Sequence, residues 1–242
     1  MIVQACLNGA RPSGYHEALP ISPDEIAADA ARCVTAGAAE LHVHPRLADG
    51  REGLAAVDDV MRALRQTCPG TLIGVSTGAW IEEDPEITRA RIANWCVLPD
   101  HASVNLSEPD AFGVIELLSR RGVGIEVGLA TAADAERFLA VADRFHVLRI
   151  LIEIEEQDTQ KGDEIVDGIC AVLTAANVSR PILLHGFDET VWHFVSRARE
   201  RRWSTRVGLE DGNLRRDGSK ALGNADLIGD AVYLFRDFNV AR

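Results

Sequence analysis

Ala39-Glu40-Leu41-His42-Val43-His44-Pro45-Arg46 decides how the rest of the chain is read. In an extended strand side chains alternate faces with period two, which puts His42 and His44 on one face and Leu41 and Val43 on the other. Two imidazoles on one face can share a metal ion, while the aliphatic pair faces a packed layer. Pro45 has no amide hydrogen to give a ladder, and it stops the strand where His44 emerges. A buried strand with its polar pair at the carboxyl end is the pattern of α/β folds, which keep ligand sites at that end. A plainer interpretation makes one histidine a hydrogen-bonded core residue and the other a chance neighbour. The pairing and the strand-end position favour the metal.

Outward from this stretch, short apolar runs alternate with amphipathic stretches eight times. Strands are expected over 2–8, 40–44, 72–76, 102–106, 125–129, 147–154, 182–185 and 205–209. Helices are expected over 22–37, 53–66, 85–95, 109–120, 131–143, 162–175, 189–201 and 224–235. Ser22-Pro23-Asp24-Glu25 supplies an N-cap, a proline at the first helical position and an acid at the third, and Gly37 suits the other end. Thr131 would cap the fifth helix. Eight strand–helix units predict a parallel sheet closed into a (β/α)8 TIM barrel, as one domain over residues 1–242. An open, doubly wound sheet would carry a GxGxxG turn after the first strand, and Asn8-Gly9-Ala10-Arg11-Pro12 is not one.

Composition excludes several classes. With 242 residues, 47% of them hydrophobic and 26% charged, the chain can bury a substantial core. A formal net charge of −12 with no basic face argues against nucleic acid or an anionic membrane as partner. Arg197, Arg199, Arg201 and Arg202 fit the solvated end of a helix. Five cysteines are scattered, odd in number and never in CxxC spacing, as in a reduced cytoplasmic protein. Neither a signal peptide nor an apolar run of membrane-spanning length is visible, so a cytoplasmic location is expected.

In a barrel, polar residues at strand ends are the site candidates. They are Asn8, His42, His44, Ser76, Asn105, Glu126, Glu153, His185, Arg206, Glu210 and Asp211. In Arg206-Val207-Gly208-Leu209-Glu210-Asp211, period two turns Arg206, Gly208 and Glu210 to one face, so Glu210 can look into the barrel mouth toward the histidine pair. Two neutral imidazoles and a carboxylate with one position open form a catalytic zinc set, although Fe(II) and Mn(II) accept the same ligands. Glu210 could instead be a salt-bridge partner of Arg206. Asp211, beside a ligand and near an arginine, is a candidate general base or, alternatively, a helix cap or loop carboxylate. Ser76 could hold a substrate oxygen or simply make a turn.

The chain resembles the β-keto acid cleavage enzyme family, whose founding activity is 3-keto-5-aminohexanoate cleavage. The motifs that carry the resemblance are Asn8-Gly9-Ala10, His42-Val43-His44-Pro45-Arg46 with Asp49-Gly50, Val75-Ser76-Thr77-Gly78, Ala102-Ser103-Val104-Asn105 and Arg206-Val207-Gly208-Leu209-Glu210-Asp211, in family order. The resemblance implies a zinc-dependent barrel, with one Zn2+ per chain, that reacts a β-keto acid with acetyl-CoA to give acetoacetate and a shortened acyl-CoA. It also implies zinc on His42, His44 and Glu210, substrate oxygens held by Ser76 and Asn105, and Asp211 as base, held by Arg206 and Glu126; Asn8, in the first of these motifs, is expected to bind substrate as well. Members are commonly tetrameric, so a homo-oligomer, tetramer or dimer, is expected.

Two departures stand out. The segment after Asn105 is short, which removes a loop that longer members carry over the site. Arg11 stands where the founding enzyme has an acid for its substrate's ammonium group, so a neutral or anionic distal group is expected here, with Arg11 in the substrate site. Arg11 could also point to solvent or pair with Glu17. Other classes remain open: a metal-dependent hydrolase or aldolase that needs no CoA, and a non-catalytic metal-binding barrel.

Overall fold

The computed structural model of the chain describes residues 1–236 apart from 141, 143 and 146. Strands β1 (Val3–Cys6), β2 (Glu40–Val43), β3 (Leu72–Ser76), β4 (His101–Asn105), β5 (Gly124–Leu129), β6 (Val147–Ile154), β7 (Ile182–Gly186) and β8 (Ser204–Val207) form one closed barrel in chain order. Each pairs in parallel with the next, and β8 returns to β1 with Thr205 opposite Val3. Helices α1 (Pro23–Ala36), α2 (Val57–Thr67), α3 (Pro85–Ala93), α4 (Ala111–Arg120), α5 (Ala132–Leu139), α6 (Thr159–Ala175), α7 (Val191–Glu200) and α8 (Asn224–Arg236) follow the strands. The chain is therefore the (β/α)8 TIM barrel that the alternation predicts.

Local chemistry accounts for the element ends. Ser22 and Glu25 form a reciprocal capping box at the start of α1, and Gly37 closes that helix at φ 110°, a left-handed conformation open to glycine. Thr131 and Asp134 repeat the capping box on α5. The expected end of that helix at Asp143 lies outside the described residues. Helix α6 begins three residues earlier than expected because Asp158, not a glycine, caps it. Strand β8 stops at Val207, two residues sooner than the alternation suggests. Gly208 explains the change: a Cβ there would sit 1.9 Å from the carbonyl oxygen of Cys6, so the backbone passes β1 too closely for any side chain.

Outward-facing Leu41, Val43, Val75, Ile125, Val127 and Ile152 are fully buried beneath the helices. The barrel interior is unusually polar for this fold, which normally fills it with branched aliphatics. Arg149 donates to both Glu126 and Glu40, and Gln4 Nε2 meets Glu40 Oε2 at 3.4 Å and His101 Nε2 at 3.3 Å. These side chains come from five strands and are all buried. Removing two charges from water is repaid only when each remains paired. Cys6, Cys33 and Cys68 are buried free thiols, and Cys96 is exposed. Among the described residues no helix is long and apolar enough to cross a membrane.

Candidate functional site

Strand β2 delivers the histidine pair to the carboxyl mouth of the barrel, and Asn8 fixes its end. The Asn8 carboxamide accepts from the His44 amide at 2.9 Å and donates to the carbonyl oxygens of His44 at 3.0 Å and Pro20 at 3.1 Å. Every polar atom of this buried side chain is thus committed to backbone. The expectation that Asn8 binds substrate is corrected to a clamp on the His44 backbone. Glu210 arrives from the opposite side on a turn, in which the amides of Asp211 and Gly212 donate to the Gly208 carbonyl. Strand alternation therefore does not place it. Gly9, at φ 55°, leaves the room it needs: a Cβ there would lie 2.4 Å from Glu210 Cγ.

His42, His44 and Glu210 each bring one ligand atom to within 4.8 Å of the others. Glu210 Oε2 lies 3.9 Å from His42 Nε2, and Glu210 Oε1 lies 3.6 Å from His44 Nε2. Glu210 Oε2 is buried without a hydrogen-bond partner. A buried, unpaired carboxylate oxygen facing two imidazole nitrogens is costly unless a cation takes it, so the donor set fits a divalent metal. Burial drives the His42 ring down to about pH 3, against the pull of Glu210, so it stays neutral. At His44 burial acts the same way, but the carboxylates of Glu210 and Glu52 override it and raise the ring to about 9.

Glu52, which the sequence reading did not single out, stands directly behind His44. Its Oε1 accepts from His44 Nδ1, and its Oε2 accepts from Trp80 Nε1 at 2.9 Å. A carboxylate on the far nitrogen of a ligating histidine sets tautomer and ring orientation. The signal that could have pointed to it is the Asp49-Gly50 turn, which folds the chain so that Glu52 bridges back to Arg46 beside His44.

A cavity of about 630 Å³ opens over these groups, lined by Arg11, Ser76, Trp80, Asn105, Glu153 and Arg206 among others. Arg206 Nη2 donates to Glu210 Oε1 at 2.8 Å and to Glu153 Oε2 at 3.1 Å. His185, noted as a strand-end residue but given no role, stands between two carboxylates. Its Nδ1 is 3.0 Å from Asp211 Oδ1 and its Nε2 is 3.1 Å from Glu153 Oε2. Burial and Arg206 favour its neutral ring, yet Asp211 and Glu153 together raise it above the usual histidine range.

Two expected placements change, and a third residue, Arg11, stands at the cavity with partners of its own. Asp211 has no side-chain exposure and no face on the cavity. Glu126 does not hold Asp211; it pairs with Arg149 inside the barrel, because its inward position on β5 faces β6. Arg11 lines the cavity, but its guanidinium bonds Asp188 at 2.6 Å and the carbonyl oxygens of Glu210 at 2.9 Å and Asp211 at 3.1 Å. Ser76 and Asn105 both face the cavity, and Ser76 Oγ also accepts from the Gly78 amide at 3.3 Å.

A sequence model of the beta-keto acid cleavage enzyme family matches residues 1–167. Among solved structures, ObcA in a ternary complex with a C4-CoA adduct and oxalate aligns at TM-score 0.73 and 17% identity, covering 93% of this chain. ObcA in a binary complex with oxaloacetate aligns at TM-score 0.72 and 18% identity, again over 93%. A 3-dehydroquinate dehydratase from Geobacillus kaustophilus HTA426 aligns at TM-score 0.65 and 12% identity, over 99% of this chain and 91% of its own. At such identities the likeness is one of fold. The chain spans 64% of the length of the ObcA chain in either complex.

Proposed function

This chain belongs to the beta-keto acid cleavage enzyme family, and on that premise we propose that it condenses a β-keto acid with acetyl-CoA, giving acetoacetate and a new acyl-CoA by a retro-Claisen route. The observation that carries the proposal is the convergence of His42, His44 and Glu210 on the floor of an open cavity, with a carboxylate oxygen left unpaired. These three residues would hold one zinc per chain, leaving a coordination position open, and when bound the metal supplies Lewis-acid polarisation of a keto oxygen. ObcA complexes with oxaloacetate and with a CoA adduct support a keto acid and a thioester as the ligand classes.

The chain's own residues supply the rest. Ser76 and Asn105 present a hydroxyl and a carboxamide to the cavity, suited to the oxygens of a small keto acid. Arg206 joins the ligand Glu210 to Glu153 through one nitrogen and keeps both carboxylates ionised and oriented. Trp80 and Phe187 give the cavity apolar walls for the distal chain. A panel of β-keto acids incubated with zinc-loaded protein, with and without acetyl-CoA, tests the proposal by acetoacetate release. Acetoacetate formed only with acetyl-CoA and lost to a chelator supports it; turnover indifferent to acetyl-CoA supports a metal-dependent hydrolase or aldolase in its place.

A further inference from the structure

Trp80 lines the cavity and is 47% exposed, yet two partners fix its indole in place. Its Nε1 donates to Glu52 Oε2 at 2.9 Å, and the other oxygen of that carboxylate accepts from His44 Nδ1. The indole and the His44 imidazole therefore stand side by side on one carboxylate, 22° from parallel with centroids 6.4 Å apart. Beneath the indole lies Gly78. A Cβ there would meet Cη2, Cζ3 and Cζ2 of the six-membered ring at 2.2, 2.3 and 2.5 Å. Three adjacent ring carbons at nearly one distance put the face of the ring, not its edge, on the glycine. With one face on backbone and the Nε1 edge on Glu52, the surface left to the cavity is the opposite face.

We propose that Trp80 determines specificity, as a fixed aromatic platform that selects β-keto acids with a planar, neutral distal group. The inference rests on the keto acid chemistry proposed above and names the substrate class. A ring already held rigid loses little freedom when a ligand meets it, and an aromatic pair gains beyond the area it buries. Position chooses the occupant. The platform extends from the Nδ1 side of His44, while Nε2 faces Glu210, so a group on it lies a few bonds past a keto oxygen held among His42, His44 and Glu210. An adenine ring is separated from its thioester by the whole pantetheine arm and belongs farther out. Charge sets the neutrality: Arg11 meets Asp188, and Arg206 meets Glu153 and Glu210, so both lining cations are already paired. Phe187 adds a second aromatic wall after β7, four strands round the barrel from β3, which leads to Trp80.

The test compares 3-oxo-4-phenylbutanoate and 3-oxo-5-phenylpentanoate with their cyclohexyl counterparts on zinc-loaded wild type, Trp80→Phe, Trp80→Leu and Gly78→Ala. Cyclohexyl is the more hydrophobic ring, so a merely apolar wall favours it and only a stacking face favours phenyl. Readouts are calorimetric binding without acetyl-CoA, kcat/KM with acetyl-CoA, and metal content. Wild type should prefer each phenyl acid about 2–10-fold in binding and in kcat/KM. Trp80→Phe, which keeps a ring face and loses the Glu52 bond, should keep the preference, and Trp80→Leu should abolish it. Gly78→Ala should abolish it too, because its methyl displaces the indole at a backbone conformation that alanine adopts. A wild type that forms acetoacetate from these acids with no phenyl preference overturns the inference and leaves the proposed function standing. Phenyl preference in binding without acetoacetate sustains it and removes the acyl-transfer reading. An unchanged preference in Trp80→Leu overturns it, as does loss of zinc in Trp80→Phe, which would make the indole a support for His44. Tighter binding of 3-keto-5-aminohexanoate than of the phenyl acids, lost in Trp80→Leu, would make the face a cation site and likewise overturn it.

Discussion

His44 is held through one ring nitrogen and faces the ligand cluster with the other: Glu52 accepts from Nδ1, while Nε2 lies 3.6 Å from Glu210 Oε1. The first contact fixes the tautomer that leaves Nε2 free as a ligand. Glu52→Leu should therefore weaken zinc binding about 10–100-fold, measured by chelator competition, although Glu52 touches no metal itself. Unchanged affinity would reduce Glu52 to a partner of Trp80.

Direct removal of ligands should be more severe. About one zinc per chain is expected in the wild type, and elemental analysis of His42→Ala, His44→Ala and Glu210→Ala should show it largely lost. Their thermal midpoints should move much less than their activity, because the aliphatic layer between barrel and helices does not depend on the site. A full complement of zinc in His44→Ala would remove the site as drawn.

Acid stability should report the interior ion pairs. Burial pushes the Glu126 carboxyl up, but Arg149 beside it outweighs burial and holds it down at about 2. Its folded value lies below its unfolded one, so its stabilising effect is complete above the ordinary carboxylate range and disappears as pH falls toward 2. Glu126→Gln should flatten the loss of stability between about pH 4.5 and 2 in urea titrations.

Arg149→Met probes the same cluster from the cationic side. It leaves Glu40 and Glu126 buried without their shared cation, and an unfolding free energy lower by about 3–5 kcal/mol is expected at neutral pH. A loss under about 1 kcal/mol would mean that water reaches these carboxylates.

For Arg11, the expectation from sequence alone is a reader of substrate charge. In the fold its Nη2 meets Asp188 at 2.6 Å and the Asp211 carbonyl at 3.1 Å, and its Nε donates to the Glu210 carbonyl at 2.9 Å. Arg11→Met should then lower kcat/KM for anionic and cationic β-keto acids together. Their ratio should shift by less than about fivefold, the scale of a partly solvated charge contact. A larger shift toward the cationic substrate would restore Arg11 as a charge reader.

Much of this protein was legible along the chain, wherever backbone geometry alone sets the pattern. Period two in 39–46 put His42 and His44 on one face and Leu41 and Val43 beneath the helices, as found. Ser22, Glu25 and Gly37 marked a helix by the hydrogen bonds that its ends require. Eight such units closed the barrel, and the closed barrel put strand-end residues at one mouth. What tertiary structure decided was which of those residues meet, and through which atoms. Arg149 pairs with Glu40 across 109 residues because the barrel interior brings β2 and β6 together, and no local period encodes that. Glu210 reaches the histidines from a turn permitted by Gly208 and Gly9, where strand alternation has ended. Asp211 and Glu153 are both acids at strand ends in the sequence, and only the packing around them encloses one and opens the other to the cavity. Short-range sterics are written residue by residue, whereas burial and electrostatic partnership belong to the closed three-dimensional surface.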